Sequence, residues 1–287
     1  MFYIGCPMWG YKDWVGHGRL FPARTPTSDF LRLYSQKLTT VEGNTIFYAL
    51  PSPETITRWA QEAPAHFRFC PKVSRTISHE GELQFKQAET LAFIQRMQGF
   101  GERLGPIFLQ LPPAFGPSQL ENLHRFLAFW PAEVRLAVEV RHAEFYQPEA
   151  SRALNELLEH YHVARVMMDT RPIRVGSAEE QQVLQARERK PDLPLQRVIT
   201  TDFTFIRYIG HPRMDVNEPL LDEWAQHCAH WLKEGRTLYV FCHCPYEEHS
   251  PAICYALYQR VKALFPLPTL SWRLEPEEPQ PEQLQLF

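Results

Sequence analysis

Eight short apolar runs, alternating with longer stretches of helical spacing, constrain this chain more than any other feature. The runs cover 2–5, 39–42, 67–71, 107–111, 136–139, 164–168, 203–209 and 238–242. Alternation of this kind is the signature of a parallel sheet with crossover helices. Ser28 is placed to cap a helix through Lys37, with Phe30, Leu31, Tyr34 and Leu38 spaced for one buried face. Pro53 opens the next helix where its missing N–H costs nothing. Helical patterns also cover 82–97, 117–129, 148–160, 218–233 and 251–264. Eight strands with helices between them leave no spare edge, which favours closure. The alternative is an open doubly wound sheet, which normally carries a glycine-rich phosphate turn after its first strand, and here only Gly10 follows Cys6 closely. The expectation is an α/β fold, a (β/α)8 TIM-type barrel over 1–274 as one domain. A long insertion separates its sixth and seventh strands, and a flexible tail covers 275–287.

A chain of 287 residues can bury a large core without disulfides or metals. The formal net charge of −3 gives no global pull toward nucleic acid or anionic membrane, so any phosphate contact must come from a local cationic cluster. The six cysteines are scattered, which suits a reducing cytosol better than a disulfide scaffold. No run approaches a membrane span, and the first residues lack a basic region followed by a long apolar one. A soluble, cytoplasmic protein is expected, with no membrane partner and an oligomeric state left open.

Several segments carry a resemblance. They are Ile4-Gly5-Cys6-Pro7-Met8-Trp9, the stretch from Val41-Glu42-Gly43-Asn44 to Tyr48-Ala49-Leu50-Pro51, and Phe67-Arg68-Phe69-Cys70-Pro71-Lys72. Ser78-His79-Glu80, Leu109-Gln110-Leu111-Pro112-Pro113 and Val138-Glu139-Val140-Arg141-His142 continue it. Together they resemble the YecE-like family, also called domain of unknown function 72, over most of the chain. The resemblance implies a TIM barrel that has been likened to the endonuclease IV type. By that analogy of fold alone it raises a phosphodiester hydrolase as one activity.

Active sites of such barrels lie where the C-terminal ends of the strands meet. Those ends supply Glu42 and Asn44, Lys72, Gln110, then Glu139, Arg141 and His142, then Asp169, Arg207 and His243, with His79 in the loop after the third strand. Glu42, Glu139, Asp169 and His142 are the candidates for acid–base or metal-assisted catalysis. Asn44, Tyr48, Lys72, His79, Gln110, Arg141 and Arg207 are the candidates for substrate binding. Lys72, Arg141 and Arg207 could grip a phosphate or carboxylate. The competing structural reading is an ion network of Glu42, Glu139, Lys72 and Arg207 that only satisfies itself.

No metal ligand is assigned. A divalent ion among the acids stays open, whereas a histidine-rich three-metal set is not supplied. The segment Cys242-His243-Cys244 with His249 and Cys254 is too sparse for zinc or an iron–sulfur cluster. Trp9, Trp14, Phe47, Tyr48 and Trp59 gather near the first two strand ends, where exposed rings could stack on bases and buried ones would be ordinary core. The insertion over 170–202 carries Arg171, Arg174, Arg187, Arg189, Lys190 and Arg197, and a surface helix is expected over 177–190.

Gln283-Leu284-Gln285-Leu286-Phe287 resembles the bacterial sliding-clamp-binding peptide, after a linker rich in Pro, Glu and Gln. Gln283, Leu284, Leu286 and Phe287 would be its partner-binding residues. Three functions remain open: processing of a phosphate-bearing substrate, with nucleic acid under repair or replication favoured; a non-enzymatic accessory module; and sugar-phosphate isomerase or aldolase chemistry centred on Lys72.

Overall fold

A computed structural model describes residues 1–175 and 181–272. The expected tail, with Gln283, Leu284, Leu286 and Phe287, lies outside the described residues, as does the start of the helix expected over 177–190. These residues form eight parallel strands: β1 (Phe2–Gly5), β2 (Thr40–Gly43), β3 (Arg68–Pro71), β4 (Ile107–Gln110), β5 (Leu136–Glu139), β6 (Ala164–Asp169), β7 (Phe203–Ile209) and β8 (Thr237–His243). Eleven α-helices accompany them among the described residues.

The strands do not form one continuous ladder. Six make a curled half-barrel in the order β1-β8-β7-β6-β5-β4, and β2 pairs with β3 in a separate two-stranded sheet. This coarsens the expectation of a full eight-stranded barrel, and the reason lies at the two seams. Beside β1, the Ile4 amide donates to Thr39 Oγ1 at 2.8 Å and the Cys6 amide to Tyr34 Oη at 2.7 Å, so side chains occupy ladder positions. Backbone bonds there are reduced to Thr39 N–H to Ile4 O and Glu42 N–H to Cys6 O, both 3.1 Å. At the other seam Pro71 has no N–H to offer, leaving Gly105 N–H to Phe69 O at 2.7 Å and Val73 N–H to Phe108 O at 2.9 Å.

Gly5 is where the first seam closes tightest. A Cβ there would stand 1.9 Å from the Thr40 carbonyl oxygen and 2.9 Å from the Tyr34 hydroxyl. Gly5→Ala is therefore expected to cost about 1–3 kcal/mol or more by forcing backbone apart. An unchanged urea midpoint would show that the seam yields freely.

Side chains alternate across each strand. One parity packs outward with the helices: Val41, Phe69, Leu109, Val138, Ile206, Tyr208, Val240 and Cys242 belong to the large core. The other forms an interior cluster drawn from both sheets, with Tyr3, Cys70, Phe108, Ala137, Ala164, Val166, Phe203, Phe205, Tyr239 and Phe241. Phe108 and Phe205 stack there at 5.1 Å. Continuing the interior parity to the C-terminal strand ends reaches Glu42, Gln110, Glu139, Met168, Arg207 and His243, with Lys72 just past β3. The fold thus raises a ring of polar side chains above an aromatic floor.

The helices differ in detail from the sequence pattern. Residues 82–97 divide into a 3-10 turn at Leu83–Phe85 and α5 (Gln87–Met97). Two short helices sit beside the strand ends, α2 (Asn44–Tyr48) and α4 (Arg75–Ser78). The expected helix over 218–233 begins earlier, as α10 (Met214–Lys233). In the insertion, α8 (Arg171–Arg174) precedes α9 (Gln181–Arg189).

Candidate functional site at the strand ends

Arg207, third in the interior row of β7 after Phe203 and Phe205, organises the centre. Its Nε and Nη2 donate to Glu42 Oε2 and Oε1 at 2.9 and 3.0 Å, a two-pronged contact. Its Nη1 donates to Glu139 Oε2 at 2.6 Å. Glu139 Oε1 also accepts from Arg141 Nε at 2.6 Å, and Glu42 Oε1 accepts from Asn44 Nδ2 at 2.9 Å. His243 Nε2 stands 3.1 Å from Glu42 Oε2. All four carboxylate oxygens are therefore engaged, with both glutamates buried.

Burial alone would raise both carboxyls. Arg207, helped by Arg141, outweighs it and holds Glu139 down at about 2. Arg207 likewise keeps Glu42 well below the ordinary carboxylate range. The reciprocal effect raises Arg207, although burial opposes it. His243 is lowered to about 4, by burial first and by Arg207 against the pull of Glu42. It is neutral at pH 7, so its contact with Glu42 is an Nε2–H donation rather than an ion pair, and Arg207 is the charge that keeps Glu42 ionised.

Above this layer opens a cavity of about 560 Å³. Lys72, Arg75, Arg141, Lys190 and Arg207 supply its cations, with Glu247 on the same wall. Lys72 Nζ donates to Gln110 Oε1 at 3.0 Å and lies 4.3 Å from the centre of the Phe47 ring. Burial, reinforced by Arg207, lowers Lys72 to about 8, and the same causes lower Lys190 to about 8. Burial raises Glu247 to about 7, despite a hydrogen bond from Ser250. His79, lowered by burial and then by Lys72, meets the Phe47 ring edge to face at 5.2 Å.

Of the residues singled out from sequence, Asn44, Tyr48, Lys72, His79, Gln110, Arg141 and Arg207 line this cavity. Glu42 and Glu139 stand behind Arg207. Asp169 and His142 are not brought in. Asp169 has the outward parity of β6, where its oxygens take Arg171 Nη2 at 2.8 Å and Trp224 Nε1 at 2.7 Å against α10. His142 Nδ1 instead accepts the Glu144 amide at 3.3 Å, starting a 3-10 turn. Lys190, Glu247 and Arg75 were missed. Lys190 had a signal in the basic insertion, whereas nothing local marks Glu247.

Among the aromatics, Trp14 is fully buried and Trp9 packs on Trp59 at 4.8 Å, so both are packing residues. Tyr48 is 79% exposed. Among the cysteines, Cys6 and Cys254 bring their sulfurs within 3.7 Å between β1 and α11 (Ser250–Leu264). Among the described residues no group of three His, Cys, Asp or Glu side chains has metal-holding geometry. No helix of the described residues is long and apolar enough to cross a membrane.

Residues 3–279 match the model of the family described as "Protein of unknown function DUF72". The chain belongs to this family. It is 36% identical over 267 residues to UPF0759 protein YecE of Escherichia coli (strain K12), covering 93% of this chain and 94% of that one. UPF0759 protein YunF of Bacillus subtilis (strain 168) is 26% identical over 156 residues, covering 52% of this chain and 53% of that one. A crystal structure of a DUF72 family protein from Enterococcus faecalis V583 superposes with a TM-score of 0.69 at 17% identity, covering 97% of this chain and 99% of that one. One from Thermotoga maritima MSB8 gives 0.64 at 21% identity, covering 92% and 99%. At such identities the two structures speak for the DUF72 fold alone.

Proposed function

We propose that the strand-end cavity binds the phosphate group of its ligand. The observation that carries this is the charge pattern: five cations and one carboxylate, Glu247, line the cavity, and with Arg207 and Arg141 set against Glu42 and Glu139 beneath it, Lys72 and Lys190 remain in excess beside Arg75, which stands 3.9 Å from Glu80. Lys72 and Lys190, both lowered by burial, gain most from an arriving dianion. Arg141 adds a planar donor set beside them. Because Glu42 and Glu139 are held ionised by Arg207, they shape the field rather than move protons. Glu247, near neutrality on the cavity wall, is the carboxyl suited to proton transfer.

Sulfate tests this cleanly, because it keeps its double charge across the useful pH range. Calorimetric titration of the full chain should show affinity highest below pH 8. It should fall by about tenfold or more toward pH 9.5, as Lys72 and Lys190 lose their protons and Glu247 completes its ionisation. No sulfate binding at pH 7, or binding indifferent to pH, would remove the proposal.

Three finer readings belong with it. One interior cluster shared by both sheets, and the Glu42–Arg207–Glu139 bridge between them, support closure of the eight strands into a barrel over 1–274. A nucleic-acid substrate under repair or replication, brought by a sliding clamp, rests on Gln283, Leu284, Leu286 and Phe287. Equal clamp binding by the full chain and by a chain ending at 282 would end that reading. Sugar-phosphate chemistry through Lys72 draws support from its lowered pKa, and borohydride trapping of a carbonyl substrate on Lys72 would establish it.

A further inference from the structure

A second concavity adjoins the basic one. It has a volume of about 570 Å³, lies between α2, α4 and α5, and shares Phe47, Tyr48 and Arg75 with the cation-lined cavity. The two therefore adjoin across these side chains, one lined by cations and the other more apolar. The chemistry changes in order from one to the other. Lys72 rests on the face of Phe47, Phe47 meets Tyr48 edge to face at 4.9 Å, and Tyr48 presents its ring to solvent at the junction. A tyrosine anchored on Phe47 yet exposed to 79% beside a cation cluster offers ring surface to a ligand. Beyond it the groove has an apolar wall with Leu50, Ile77 and Phe93, crossed by the hydroxyls of Ser74 and Thr76 and the carboxylates of Glu80 and Glu89.

We infer that this groove is a base subsite, and that the ligand is a 5′-phosphorylated nucleoside with its phosphate among Lys72, Arg141 and Lys190 and its base stacked on Tyr48. The inference rests on the phosphate reading of the neighbouring cavity. A ligand that carried only anionic charge would leave the groove unused. One with a simple alkyl arm would match Leu50 but not the polar rim, where Ser74 bonds Thr76 at 3.0 Å and Glu80 and Glu89 stand 3.9 and 3.8 Å from Arg75 and Lys86. A heterocycle with ring faces for Tyr48, and with hydroxyls and amino groups for those side chains, uses both concavities. The free mononucleotide and the 5′ end of a strand present the same chemistry here.

The test measures, with the full chain, affinities for inorganic phosphate, ribose 5-phosphate, the four ribonucleoside 5′-monophosphates and a 5′-phosphorylated trinucleotide. At least one mononucleotide should bind between about fivefold and a hundredfold more tightly than ribose 5-phosphate. Tyr48→Ala should reduce that ratio to near one, while Tyr48→Phe keeps it. The ratio is read only in a Tyr48→Ala protein that still binds ribose 5-phosphate with the parent's affinity, which separates lost stacking from lost folding. A trinucleotide that binds more tightly than the mononucleotide identifies a strand end, and one that binds less tightly identifies the free nucleotide; either outcome upholds the subsite. If phosphate and ribose 5-phosphate bind but no mononucleotide does better, or if the ratio survives in Tyr48→Ala, the base subsite is wrong and the phosphate reading stands. If none of the compounds binds, both fail.

Discussion

Arg207→Met should destabilise the protein by about 3–5 kcal/mol, the largest effect expected of any single substitution here. The arginine is fully buried and provides three of the hydrogen bonds that satisfy two fully buried carboxylates. Removing it leaves Glu42 with only Asn44 and a neutral His243, and Glu139 with Arg141. These remaining partners soften the loss without cancelling it. For a chain of this size the melting temperature should fall by roughly 10 °C. Combining it with Glu42→Gln and Glu139→Gln should recover much of that loss, because the stranded charges go with their partner. A melting temperature of Arg207→Met within a few degrees of the parent would mean the network contributes little.

The same network fixes a pH dependence. Glu139 sits at about 2 and Glu42 well below its ordinary value of 4.5. A carboxyl depressed by folding stabilises the native state above its unfolded pKa, and that contribution is lost as pH falls toward the folded one. The stability supplied by this pair is therefore complete above about pH 4.5 and drains away toward pH 2.

The second large effect concerns binding. The double replacement Lys72→Met and Arg141→Met should weaken phosphate or sulfate binding by about a hundredfold or more, since it removes two charge-assisted contacts from a sheltered site. Fold should survive better than in Arg207→Met. Lys72 gives one hydrogen bond to Gln110, and Arg141 shares Glu139 with Arg207, which remains. Calorimetry on the variant, with a thermal melt to verify folding, reads both quantities. Undiminished anion binding in a folded double variant would place the anion elsewhere.

How much of this was legible in the sequence follows from the physics of strands. β7 was readable to the residue as 203–209, because an apolar run bounded by polar segments has few other uses. Parity within a strand carried more than position at its end. Counting by twos from the interior rings Phe203 and Phe205 reaches Arg207, and from Ala137 it reaches Glu139. The same count along Ala164 and Val166 reaches Met168, which turns the next residue, Asp169, toward α10. Grouping strand-end residues by position alone does not separate Asp169, whose carboxylate meets Arg171 and Trp224, from the residues of the interior row. Lys190 and Glu247 were beyond such counting, since loops bring them over the cavity from outside the strands. The open seams were also hidden, because Thr39 and Tyr34 displace ladder bonds in a way no apolar pattern records.

A dianion seated among Lys72, Arg141 and Lys190, above the Glu42–Arg207–Glu139 layer, is open to direct detection. Tungstate, a phosphate-like dianion with a strong anomalous signal, tests it most directly when soaked into crystals of the full chain near pH 7. An anomalous peak is expected within hydrogen-bonding reach of Lys72 and Arg141. A cavity without a peak at saturating tungstate, with peaks only on other surfaces, would contradict it.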